Sequence, residues 1–395
     1  MATAVLDLEL TDLPLEINGL DSYTSAFILL RYKKKPVGKT VIPVIKGRIN
    51  MYEFRDHIFG SVSGELYTRW MHELFGYEES KIIDFIPPKA TVAVCTRDRP
   101  NDLKRCLDAL MLLPDIGQEF LVIDNCPATD TTKQLLKFYP RVRYVREEQP
   151  GLNIARNRAL TEASHEIVAF TDDDTVPDSN WLNALLKNFA HPLVQCVTGM
   201  TMPLELETPA QEAFEKYSPF SKGFKKVVYK GFSNPLSVGH IGAGANMALR
   251  KNVLRSVGSF DIALDAGTKT KSGGDHEFFI RLLLAGYYII YEPEALSWHR
   301  HRRSWKETTD AIKGYGTGVY AYLTRMLLVE KEIGVLKLSY NWFINHQLPD
   351  LIRSIFKTAG SKSFRLVFAE LKGCIMGPWA YVFTNKKVKE KKNAI

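Results

Sequence analysis

The sequence predicts an α/β protein built on a doubly wound, mostly parallel sheet, with a small α+β unit before it and a helical extension after it. Two observations carry this. From Ala90 onward, apolar strand runs alternate with helical patterns, a βαβα rhythm that folds as a parallel sheet with right-handed crossovers. Polar clusters also follow the strands: Thr96-Arg97-Asp98-Arg99, then Asp124-Asn125, then Asp172-Asp173-Asp174. In an open α/β sheet such clusters converge at the carboxyl edge and line one cleft.

The elements follow in order. Residues 1–88 read as a small separate unit, either an acceptor-binding or docking module or a plain packing domain. Ser25 to Tyr32 is a strand, Lys33 to Gly38 a turn, and Thr40 to Ile45 the second strand of a hairpin. Met51 to Phe75 is helical with a break near Gly60-Ser61, and Pro87-Pro88 is a stiff linker. The region 89–303 then supplies strands at Thr91 to Cys95, Phe120 to Ile123, Val142 to Val145 and Ile167 to Phe170. Helices between them span Asn101 to Leu112, Thr131 to Phe138 and Leu152 to Ala163. A helix at Asn180 to Phe189 and a strand at Val194 to Met200 come next, followed by an irregular excursion from Glu205 to Asn234, the pattern of a lid or binding loop. Strands follow at Ala245 to Leu249, Tyr287 to Tyr291 and Ala295 to Trp298, with helices at Lys251 to Val257 and Glu277 to Leu284. Residues 304–395 read as helices with a basic tail: Trp305 to Leu328, interrupted by glycines, then Trp342 to Phe356 and Phe364 to Cys374.

A net charge of +8 suits an anionic partner such as a phosphorylated substrate or anionic lipid. The basic residues are spread along the chain, so no nucleic-acid partner is expected. Five scattered cysteines without a C-x-x-C pair suit a reducing cytosol rather than a disulfide or zinc framework. The acidic start (Asp7, Glu9, Asp12, Glu16) argues against a leader peptide, and no apolar run is expected to span a bilayer. The lysines from Lys386 to Lys392, beside the apolar stretch Ile375 to Phe383, read as a peripheral membrane contact or a disordered solvated tail.

Three consecutive carboxylates at a strand end repel one another, and a hard divalent cation, Mg²⁺ or Mn²⁺, would remove that repulsion. Read alone, Asp172 to Asp174 are a cation site or a solvated acidic turn. Read alone, Asp124 is an Asx turn ending a strand. Asp275 is a general base or a helix N-cap.

The phrases Val94 to Pro100, Val122 to Asn125, Gly151 to Asn157 and Phe170 to Trp181 resemble family 2 glycosyltransferases of the GT-A fold. Gly244 to Arg250, Gly258 to Asp261, Gly274 to Glu277 and Trp298 to Arg302 extend the resemblance in the same order. It implies an inverting transfer from a nucleotide-diphosphate sugar, most often a UDP-sugar, to a glycan or lipid-linked hydroxyl. Asp275 would be the catalytic base, with Glu277 as fallback and acceptor contact beside Gly244. Thr96, Arg97, Asp98, Asp124, Arg156, Asp172 and Asp173 would hold the donor. Asp174, Asp172 and His299, or His301 in its place, would hold Mn²⁺ or Mg²⁺. Gly242 would permit close approach, and Arg300, Arg302 and Arg303 would grip phosphate or form a solvated basic face. Where the family usually has Glu-Asp, this chain has Gly274-Asp275. The competing functions are a catalytically silent scaffold on the same fold and a sugar-phosphate nucleotidyltransferase. The latter lacks support, because Thr96 to Pro100 is not a glycine-rich nucleotide loop.

Overall fold

A computed structural model describes residues 2–76, 85–231, 236–358 and 360–393. Its first part is a three-stranded sheet in the order β1-β3-β4, from β1 (Thr3–Glu9), β3 (Ser25–Tyr32) and β4 (Lys35–Pro43), covered by α1 (Arg55–Leu74). A two-residue ladder joins β2 (Glu16–Ile17) to β5 (Ile49–Asn50). The expected hairpin is present, but its turn is confined to Lys33 and Lys34, which take positive φ, so the second strand starts at Lys35. α1 runs through Gly60 without the expected break. The unit does not stand apart: Phe27 and Leu29 share a buried cluster with Met200, Met202, Tyr291 and Leu296 of the main sheet. Arg31 also reaches Asp178 at 2.7 Å.

The parallel half of the main sheet follows the expected alternation. β6 (Ala90–Thr96), β7 (Glu119–Asn125), β8 (Val142–Glu147) and β9 (Ile167–Asp172) pair in parallel in the order β9-β6-β7-β8. α2 (Pro100–Met111), α3 (Thr131–Leu135) and α4 (Leu152–Glu162) connect them. Every residue of β6 is buried, as a strand covered on both faces requires. The second half is mixed. β11 (Val194–Pro203) lies between β13 (Asn246–Arg250), which is antiparallel to it, and β14 (Tyr288–His299), which is parallel. β13 is also antiparallel to β9, and β10 (Thr175–Pro177) and β12 (Val227–Lys230) flank β14. The two strands expected at 287–298 are one bulged strand: pairing steps from Gly199↔Glu292 to Met200↔Leu296. The expected excursion is more ordered than its sequence suggests. It contains α6 (Pro209–Tyr217), started by a capping box of Thr208 and Gln211, as well as β12. Its last positions, 232–234, lie outside the described residues.

After α5 (Trp181–Leu186), α7 (Leu254–Val257) and α8 (Gly274–Leu284) come the C-terminal helices. These are α9 (Trp305–Arg325), α10 (Gly334–Trp342), α11 (Leu348–Ile355) and α12 (Phe364–Asn393). The glycines expected to interrupt α9 do not. Gly316 faces the Glu370 carbonyl of α12, and Gly373 and Gly377 on α12 face the α9 backbone at Lys313 and Thr317. They let two helix backbones touch. The segment expected to end as a solvated tail continues α12 to Asn393. By length and composition, Phe364–Glu390 could cross a membrane, contrary to the sequence expectation, although 44% of its most apolar window is buried within the protein.

Gly373→Val would drive a branched side chain into the α9 backbone and is expected to cost about 1–3 kcal/mol. Urea denaturation measures this, with Gly64→Ala, which meets nothing within 4 Å in α1, as a control expected to gain up to about 1 kcal/mol.

Candidate active site

The ends of β6 and β9, the starts of α4 and α8, the end of β14 and one face of α9 enclose a cleft of about 830 Å³. Asp172, Asp173 and Asp174 form one wall, and Arg156, Gly244 and Asp275 line it too.

Each member of the acidic triplet has a different environment. Asp172 accepts no side-chain hydrogen bond among the described residues, and burial raises its pKa against the pull of Arg156. Asp173 is held by the Thr96 hydroxyl at 2.8 Å and by Arg99 Nη1 at 2.6 Å. Burial and the neighbouring Asp174 push its pKa up to about 7. Asp174 is ringed by nitrogen groups: Arg99 Nη1 at 3.0 Å, His299 Nε2 at 3.2 Å and Arg302 Nη1 at 3.4 Å. Burial alone would raise its pKa, but His299, Arg99 and Arg302 outweigh that and hold it well below the usual range. The expected set Asp172, Asp174 and His299 therefore lies together but does not close around one point. Among the described residues no group of three His, Cys, Asp or Glu side chains could hold a metal by itself. The protein answers Asp174 with guanidinium and imidazole groups instead. His299 is the histidine that meets the triplet, whereas buried His301 turns its Nε2 to Glu215 of α6 at 3.1 Å. The Nδ1 atoms of both histidines are buried without a partner.

Arg156 is buried, and its Nη1 reaches Asp265 at 2.9 Å and Asn153 at 3.2 Å. Asp275 lies in the first turn of α8, two residues past the N-cap position, which Gly273 fills. Its carboxylate accepts from the N–H groups of Gly244 (2.7 Å) and His276 (2.8 Å). Burial would raise its pKa, but His276, Arg156 and these two amides hold it below the usual range. A Cβ at Gly244 would lie 2.6 Å from Arg156 Nη2 and 3.2 Å from Asp275 Cβ, so only glycine leaves both groups in place. Gly274 is closed in as well: a Cβ there would meet Asn153 and come within 2.8 Å of Asp265. Asp265 and Asn153 fill the space where the family's Glu would have to start.

The other expected site residues divide between the cleft and the structure around it. Glu277 is fully buried outside the cleft, paired with Arg281 (2.5 Å) and Arg325 (2.8 Å), so it is a structural node and not an acceptor contact. Asp124 is completely buried, with the Tyr144 hydroxyl on Oδ2 at 3.0 Å and no partner on Oδ1; its neighbour Asn125 lines the cleft instead. Asp98 accepts from the Ala128 N–H at 2.9 Å and braces the loop after β7, while Arg97 and Thr96 line the cleft. Asn157 clamps the Phe260 backbone, with both bonds at 2.9 Å. Arg300 pairs with Asp102, and Arg303 with Glu205 and Glu207. Gly242 takes φ +124° against Thr198.

Sequence reading placed Arg99 in a cleft-lining cluster without giving it a role, and missed Asp265 and Lys222 altogether. Lys222 lines the cleft from the excursion after β11, and burial lowers its pKa. It also missed α9, whose Glu307, Asp310 and Tyr315 form a wall.

A strand-end cleft with acidic, basic and backbone donors on a mixed sheet of this order is that of a GT-A-type fold. The structure is similar to a mannosyltransferase, PcManGT from Pyrobaculum calidifontis, solved with GDP-Man and Mn²⁺. The TM-score is 0.51 at 16% identity, covering 80% of this chain and 94% of that one. The sequence model of Glycosyl transferase family 2 matches residues 91–258, and this part of the chain is a family 2 glycosyltransferase domain. The chain is 28% identical over 223 residues to the pre-mycofactocin glycosyltransferase of Mycobacterium tuberculosis, an alignment covering 54% of this chain and 44% of that protein. It is 26% identical to glycosyltransferase AglE of Haloferax volcanii, over 54% of this chain and 68% of AglE. The chain thus spans less than half the length of the mycobacterial relative.

Glu277→Gln would leave Arg281 and Arg325 without their buried counter-charge and is expected to destabilise the fold by about 3–5 kcal/mol. Chemical denaturation measures it.

Proposed function

We propose that the chain transfers a glycosyl unit from a nucleotide-diphosphate sugar to a hydroxyl of a glycan or lipid-linked acceptor, with inversion at the anomeric carbon. The observation that carries this reading is that Asp275 and the Asp172–Asp174 triplet line the same cleft. The GDP-Man and Mn²⁺ in the structural neighbour support a nucleotide-sugar donor and a divalent cation.

The donor chemistry fits such a cation. Asp172 is a partly buried acid with no side-chain hydrogen-bond partner among the described residues, and its raised pKa is the mark of a carboxylate that a positive charge would stabilise. Cations that work on phosphates commonly take one or two protein carboxylates and fill their shell with substrate oxygens and water, so three protein ligands are not needed. Asp172 and Asp174 would hold the cation, with His299 beside them. When bound, it would offset the charge that gathers on the departing diphosphate. Arg302 and Lys222, both lining the cleft, would share that task.

Asp275 would take the acceptor O–H proton as the oxygen forms its bond to the anomeric carbon. The bond to the diphosphate oxygen breaks, and its electron pair leaves with the nucleoside diphosphate. The two amides on Asp275 aim the carboxylate and keep it ionised. Arg156, fixed by Asp265, would lie against the donor, and Gly244 leaves room for the sugar.

One observation favours a second reading, a catalytically silent scaffold: Arg99 bridges Asp173 and Asp174 and occupies part of the acidic wall. A thermal-shift panel of UDP, GDP and dTDP with and without Mn²⁺ separates the two readings. The transferase reading expects a cation-dependent rise in melting temperature for at least one nucleotide, lost in Asp174→Ala. No shift with any of them sinks it.

Asp275→Asn is expected to lower kcat by about 10²- to 10⁴-fold with little change in donor KM. Because the Asp275 pKa is depressed, the base is already ionised at neutral pH. The acid limb of the wild-type rate profile should therefore lie below the ordinary aspartate value of about 3.9. A limb near neutral pH would report a group other than Asp275, either a different base or the donor-side Asp173, whose pKa is pushed up to about 7.

A further inference from the structure

The C-terminal helices turn apolar side chains outward and bury polar ones. On α11, Ser354 is buried at 4% exposure while Ile352, Ile355 and Phe356 are exposed, Phe356 at 75%. In the π-helical turn before it (Phe343–Gln347), Gln347 is buried with Nε2 3.0 Å from Cys374 Sγ of α12, and Phe343 and Ile344 face out. Along α10 and its approach, Ile333, Leu336 and Tyr340 are exposed at spacings of three and four, which places them in one row. On α12, Phe364, Phe368, Ile375, Trp379 and Val382 form a second exposed row, with Ile375 at 74% and Trp379 at 77%. Leu366, Val367, Cys374 and Tyr381 fill the opposite, buried side. Isolated exposed apolar residues need no explanation, but rows at helical spacing on α10 and α12, which are linked through α11 packed on α12, do.

The charge around these rows is mostly positive. Residues 332–390 contain nine Lys or Arg and four acids. Three of the acids are engaged: Asp350 pairs with Lys362 at 2.8 Å, Glu370 accepts the Tyr217 hydroxyl, and Glu390 lies 3.9 Å from Lys386. Arg353, Lys357, Arg365, Lys372 and Lys387 stand beside the exposed rows, with long apolar stems that can lie along a hydrocarbon boundary while the charge reaches phosphate. A second copy of the chain would bring this positive face against itself, which like charges oppose. Nor does α12 stand free to cross a bilayer alone. Its glycine face is locked backbone to backbone on α9, since a Cβ added at Gly377 would lie 2.6 Å from the Thr317 carbonyl oxygen.

We propose that α10, α11 and α12 form a docking surface for an anionic phospholipid bilayer, lying along the headgroup boundary with their exposed rows inserted. Trp342, stacked on Tyr320 with ring centroids 5.8 Å apart, and Glu370 line the catalytic cleft, so docking would hold the cleft beside the lipid. This goes beyond the transferase reading and does not rest on it, because its readout is membrane binding.

The test is co-sedimentation of the full chain with phosphatidylcholine vesicles with and without phosphatidylglycerol. Wild type should pellet with the anionic vesicles and be released by high salt. Phe356→Asp/Ile375→Asp/Trp379→Asp should bind at least about tenfold more weakly while its melting temperature and nucleotide-induced shift stay unchanged. If that variant misfolds, Lys372→Glu/Lys386→Glu, which leaves the apolar rows intact, should weaken binding to anionic vesicles alone. Wild type that stays in the supernatant, variants that bind like wild type, or binding indifferent to phosphatidylglycerol would overturn the proposal. So would sedimentation velocity showing a dimer that the triple variant abolishes without any vesicle binding.

Discussion

Three carboxylates at the end of β9 are largely withdrawn from water, and a buried charge is tolerated only when a partner answers it. That demand ties together parts of the chain far apart in sequence. Arg99 comes from the start of α2, His299 and Arg302 from the end of β14, and Arg156 from α4. A second charge balance lies beside the first, where Asp265 holds Arg156 and the α8 amide at His276 holds Asp275. The cleft is the place where the two balances meet. Its electrostatics follow from topology, since the sheet delivers β6, β9 and β14 to one edge and the pairing of β10 with β14 brings His299 opposite Thr175, next to Asp174.

Much of this could be read from the chain because the parallel strands announce themselves. β6, β7 and β9 are short apolar runs that end in polar residues, and a strand buried on both faces has no alternation to obscure it. The same contrast marked Asp172 to Asp174 and Arg97, and the helix after Gly273 marked Asp275. Spacing alone could not separate residues that share a motif but face different ways. Asp275 and Glu277 are two residues apart on α8, so one faces the cleft and the other the Arg281–Arg325 pair. Asp124 and Asn125 divide in the same way along β7, as alternate strand positions must.

The features that escaped are those where tertiary contact overrides local preference. β1 has Asp7 and Glu9 among its apolar residues, and its strand state depends on its parallel partner β3. Glycines in α9 looked like helix breaks because glycine costs helix stability; Gly316 sits where the α12 backbone lies too close for a side chain, and Gly318 where Ser272 does. Asp265 gave no signal. It sits at φ +80° in an irregular stretch, and its importance appears only once Arg156 is seen to be buried against it.

The C-terminal helices show why the boundary between a catalytic core and its extensions is blurred here. α9 supplies a cleft wall on one face and receives α12 on another, while α12 turns a third surface outward. A change in how α12 lies on α9 would therefore move Tyr315 and Glu370 at the cleft, since Gly316 and Gly373 leave no slack between the backbones. An exposed apolar row costs a protein nothing only if something covers it when the protein works. Here that row shares a rigid helix pair with the cleft wall, so whatever covers the row is held at a fixed position relative to the reacting groups.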